Sequence, residues 1–66
     1  MRVEVDRESD ALYFRFDETP IVESEEVRPG VILDFGENDR VVGVEFLGIS
    51  ARASDEELSS ISFRAV

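Results

Sequence analysis

The sequence predicts a mainly β (α+β) domain: a single antiparallel β-meander of four to five strands, then a short C-terminal helix. Apolar residues recur with period two, not the helical period, in at least four segments. Clusters of Gly, Pro, Asn and Asp separate those segments at hairpin distances. A helix-capping pattern stands only near the C terminus. Sixty-six residues make one small domain, 1–66.

Val3 and Val5 alternate with Arg2, Glu4 and Asp6, a short opening strand. Asp6-Arg7-Glu8-Ser9-Asp10 is polar and suits a turn. Ala11 to Phe16 is a second strand, with Leu12, Phe14 and Phe16 on one face and Ala11, Tyr13 and Arg15 on the other. The two strands should form a hairpin. Asp17-Glu18-Thr19-Pro20 breaks the pattern, because Pro20 cannot donate to a ladder. Between Ile21 and Val27 lies Glu23-Ser24-Glu25-Glu26, too polar for either face to be buried in a hydrocarbon core. This segment reads as an exposed, acid-decorated edge strand that resists aggregation.

Arg28-Pro29-Gly30-Val31 has the signature of a type II turn. Val31 to Phe35 follows as a strand, with Val31, Leu33 and Phe35 sharing a face. Gly36-Glu37-Asn38-Asp39-Arg40 is a hairpin loop rich in residues that tolerate the left-handed region. Val41 to Leu47 is a long strand, with Val42, Val44 and Phe46 on one face and Val41, Gly43, Glu45 and Leu47 on the other. Gly43, inside a strand, marks a bulge or a close packing contact. Ser54-Asp55-Glu56-Glu57 is a capping box that starts a short helix. Ser60 to Ala65 alternates again and favours a closing strand after one helical turn.

Composition narrows the function. There is no cysteine and no histidine, so thiolate metal sites, cysteine nucleophiles and His-activated serines are excluded. Sixteen acids against seven arginines leave a net charge of -9. The arginines stand singly at 2, 7, 15, 28, 40, 52 and 64, with no basic patch for a phosphate backbone or an anionic membrane. The expectation is a cytoplasmic protein without nucleic-acid or membrane partners. Gly30, Gly36, Gly43 and Gly48 are dispersed and cradle no phosphate. Asp34, Glu37, Asn38 and Asp39 lack the spacing of a calcium loop. No catalytic residue, metal ligand or cofactor is therefore expected.

The apolar residues divide unequally between the faces. Leu12, Phe14, Phe16, Val31, Leu33, Phe35, Val42, Val44 and Phe46 make the main core. Tyr13, Ile32, Val41 and Leu47 remain on the back, and pairing there, or through residues 61–65, predicts a homodimer. Candidate interaction residues are Tyr13, Glu23, Glu25, Glu26, Ile32, Val41 and Leu47. The three glutamates suit a basic protein partner or a hard cation, or simply keep an edge strand soluble.

Three stretches taken together resemble a known family. Asp10-Ala11-Leu12-Tyr13 follows an acidic turn. Glu23-Ser24-Glu25-Glu26-Val27 runs through Pro29-Gly30 into Val31-Ile32-Leu33-Asp34, and Val41-Val42-Gly43-Val44-Glu45-Phe46-Leu47 leads toward Ser50. In that order they resemble the small bacterial and archaeal domain of unknown function 2283, over about residues 3–52. Phe14 and Phe46 replace common aliphatics, and Gly48-Ile49 a more polar dipeptide. Residues 53–66, from Ala53 onward, lie outside the resemblance. It implies a short, mostly β protein with no defined catalytic residue. Some similar proteins are encoded beside small ribonuclease-like toxins, which implies an antitoxin role. The expected function is a non-catalytic protein-interaction module of antitoxin type; the competing reading is a small ligand- or metal-binding protein or enzyme.

Overall fold

The computed structural model describes residues 1–66. Five strands, β1 (Arg2–Asp6), β2 (Ala11–Arg15), β3 (Glu23–Arg28), β4 (Val31–Phe35) and β5 (Val41–Leu47), form one antiparallel sheet. A single-turn helix, α1 (Asp55–Leu58), follows. The chain is mainly β, as its period-two patterning predicts.

The strand order is β1-β2-β5-β4-β3, so the sheet is not a simple meander. The β1–β2 hairpin stands beside a β3–β4–β5 meander whose last strand inserts against β2. Residues 16–22 carry the chain around the end of β5 and β4. Phe16 N–H donates to the Val42 carbonyl and Val22 N–H to the Phe35 carbonyl, each at 2.8 Å. The Pro29-Gly30 turn forms where the sequence places it, with Gly30 at φ 77°. Asn38 and Asp39 take positive φ in the β4–β5 connection.

Cross-strand register orders the apolar side chains into rows. Val5, Leu12, Phe46 and Val31 form one row, and Val3, Phe14, Val44 and Leu33 the next. The Phe14 and Phe16 rings meet edge to face at 5.1 Å, extending this surface. No charged residue stands within the rows; Glu23 and Glu25 flank them on β3, opposite Phe35 and Leu33.

This apolar face is not a closed core. The residues of its two rows are half-buried, and Phe16 is 43% exposed. The buried hydrophobic residues are Ala11, Val42 and Ile49, and they are accompanied by Arg15 and Asp34. A single-layer sheet of this length has no second layer to lay over the phenylalanines.

Two further expectations are corrected. A bulge between Asp34 and Phe35 makes Val42 the extra residue, so Val41 pairs with Phe35 and joins the phenylalanine face. Val41 therefore does not belong to the Tyr13 face. Ser60 to Val66 adds no strand to the sheet, and Ile61 and Phe63 are exposed. The capping box does form: Ser54 Oγ accepts from Glu57 N–H, and the Glu57 carboxylate accepts from Ser54 N–H.

Candidate functional site

The densest polar arrangement lies on the face opposite the phenylalanines. Arg15, Gly43 and Asp34 form one row across β2, β5 and β4, and Tyr13, Glu45 and Ile32 form the next. Gly43 leaves room for its neighbours: a Cβ there would lie 3.3 Å from Arg15 Cδ and 3.4 Å from the Tyr13 hydroxyl oxygen. Arg15 donates from Nη2 to the Thr19 carbonyl, tying β2 to the 16–22 connection.

Asp34 is 1% exposed. Its Oδ1 accepts from Ser24 Oγ at 2.6 Å, whereas Oδ2, equally buried, has no hydrogen-bond partner. Burial pushes the Glu45 carboxyl up to about 7, and hydrogen bonding to Asp34 and the charge of Asp34 add to the rise. Protonated, Glu45 would offer Asp34 a hydrogen-bond donor. Arg15 Nε, also buried, has no acceptor.

The pair does not open into a ligand-sized pocket. A cavity of about 240 Å³ touches Tyr13 and Glu45, with Glu4, Asp6 and Ser9 around it. A second, of about 270 Å³, lies between the β1–β2 turn and α1. Both fall below the roughly 300 Å³ at which small-molecule sites begin.

The second cavity adjoins a structural clamp. Asp10, at φ 53°, accepts Ser50 N–H on Oδ1 at 3.0 Å and Ser50 Oγ–H on Oδ2 at 2.8 Å. Its carbonyl accepts Ile49 N–H at 3.1 Å. Asp10 thus fastens the turn at Ile49–Ala51 to the first hairpin. Arg7 binds Asp55 at 2.6 Å and Ser59 at 3.1 Å, bringing α1 to the same hairpin. Asp10→Ala should cost about 1–2 kcal/mol, since it removes two acceptors and leaves a Cβ in the left-handed region. Asp10→Asn, which tolerates that region, should cost less than half as much. Thermal melts of the two variants check the order, and equal losses would contradict it.

The sequence-named residues do not converge. Tyr13 and Ile32 flank Glu45, and Leu47 stands opposite Ala11 on the same face. Val41 lies on the other face. Glu23 and Glu25 share the phenylalanine side of β3, while Glu26 pairs with Ile32 on the opposite side. Sequence reasoning missed Arg15, Asp34 and Glu45 as a group. The available signal was two acids at inward positions of adjacent strands, flanking a glycine.

Fold and site together define a small single-sheet protein with a buried Asp34 beside a half-buried Glu45, an acidic edge and an uncovered apolar face. Residues 2–50 match the family described as protein of unknown function (DUF2283). The chain belongs to that family. No curated protein and no solved structure shows a match to it.

Proposed function

We propose that this chain is a non-catalytic cytoplasmic protein-interaction module whose acidic edge receives a basic partner. The observation that carries the reading is β3. It is an edge strand, Glu23 to Glu26 are all exposed, and its outer backbone groups are free to pair. An added strand would find a ladder flanked by carboxylates on both faces. The net charge of -9 would steer a cationic protein toward it. An inhibitor of a small, basic, ribonuclease-type toxin fits this chemistry and the family resemblance. No helix is long and apolar enough to cross a membrane.

The test is co-expression with the product of the adjacent reading frame, if that product is basic. A complex should form at physiological salt and weaken at least tenfold when ionic strength is raised several-fold. Glu23→Lys, Glu25→Lys and Glu26→Lys together should abolish it. A complex indifferent to that triple reversal, or no complex at all, would refute the reading.

A further inference from the structure

We infer that two copies of this chain pack their phenylalanine faces together, so that the dimer supplies the second layer each sheet lacks. The first ground is shape. The rows Val5-Leu12-Phe46-Val31 and Val3-Phe14-Val44-Leu33 span four strands without a charged side chain, and every member is half-buried. Apolar residues on the interior face of a two-layer sheet protein are normally covered.

The second ground is area. The chain exposes 5080 Å². A compact monomer of 7.5 kDa should expose about 4,200 Å². The surplus, about 900 Å², exceeds the roughly 800 Å² that each partner contributes to a standard protein–protein interface, which leaves room for a share from the C-terminal segment. The uncovered face and the extended segment after α1 carry it together.

The third ground is what the alternatives offer. The segment after α1 is short and exposed, with Phe63 at 67%, and it does not cover the rows. A basic partner suits the carboxylates of β3 better than this uncharged surface. A second copy brings the same apolar grid and meets it through an isologous contact. Glu23 and Glu25 sit at the rim, so repulsion between the copies should fall as salt rises. The dimer shares Glu23 and Glu25 only at its rim and leaves the outer backbone edge of β3 free, so its loss through Phe16→Asp should not abolish the proposed partner binding.

Sedimentation of the full chain at about 50 µM, in low and high salt, tests the inference. The wild type should be a dimer that tightens with salt. Phe16→Asp replaces an exposed residue on the apolar face and should weaken the dimer at least tenfold. Leu47→Asp adds the same charge to an exposed position on the opposite face and should change the affinity less than about threefold. Circular dichroism checks that each variant keeps its strands; Val41→Asp, also exposed on the apolar face, replaces Phe16→Asp if that variant does not. A monomer under all conditions, or a dimer broken by Leu47→Asp and not by the apolar-face variants, overturns the inference.

Discussion

The protein should lose stability as pH rises from 4.5 to about 7, the reverse of what its many carboxylates suggest. Glu45 has an ordinary value of 4.5 when unfolded and is pushed up to about 7 in the fold, first by burial and then by Asp34. Between those values the native state holds a proton that the unfolded chain has released. Unfolding is therefore favoured by rising pH across that window, and the cost is complete once both states are ionised. The full shift corresponds to about 3 kcal/mol. Glu45 is partly open to solvent, which screens the pair, so about 1–2 kcal/mol is expected. Asp6, Asp17 and Glu57 act in the opposite sense. Hydrogen bonds from Ser9, Thr19 and Ser54 respectively hold their carboxyls below the ordinary values. Their contributions are present above those ordinary values and fade as pH falls through the folded ones. Stability should thus peak near pH 4.5–5. Glu45→Gln keeps a donor for Asp34 Oδ2 and removes the titration. In urea titrations from pH 5 to 8 at one protein concentration, the wild-type midpoint should fall and the Glu45→Gln midpoint stay level. A flat or rising wild-type profile, or parallel profiles, would show that Glu45 does not titrate in this way.

Alternation was sufficient to locate β1, β2, β4 and β5 because a pleated strand sends successive side chains to opposite faces. The Pro29-Gly30 turn, the Ser54–Glu57 capping box and the acidic β3 edge rest on local chemistry and were legible for the same reason. Strand order was not. Period two assigns a face but names no neighbour, and nothing local in Leu12 or Phe14 specifies Phe46 and Val44 as partners. The extra residue at Val42 then reversed the face assigned to Val41, since a one-residue slip exchanges the two sides of a strand. Ser60 to Ala65 has the alternation of a strand but finds no ladder, which shows that the pattern permits pairing without supplying it. The carboxyl pair was hidden by abundance. Among sixteen acids, only the register that puts Gly43 beside Asp34 distinguishes that aspartate from the solvated ones. The apolar face was read correctly as a face and wrongly as a core, because a hydrophobic pattern does not say what lies over it.

Gly43→Ala should destabilise the protein by about 1–3 kcal/mol, although propensity alone predicts a gain. Glycine in a strand interior carries an entropic cost of roughly 0.5–1 kcal/mol relative to alanine. Gly43 does not take a positive φ, so no conformational demand requires glycine here. Space decides the sign. An added Cβ would stand 3.0 Å from the Phe14 carbonyl oxygen, which belongs to the paired backbone of β2 and cannot swing aside. It would also meet Arg15 Cδ at 3.3 Å, and Arg15 is only 9% exposed and anchored to the Thr19 carbonyl. Relief requires β2 and β5 to separate by a few tenths of an ångström. That movement would loosen the central pairing of the sheet and the row that positions Asp34. Gly43→Val adds two methyl groups to the same space and should leave little folded protein, given that a core of this size supplies only about 3–5 kcal/mol. For a domain of this length each kcal/mol lowers the melting temperature by about 4–8 °C. Gly43→Ala should therefore melt at least several degrees below the wild type, whereas a rise would mean that β2 yields and that strand propensity outweighs the contact.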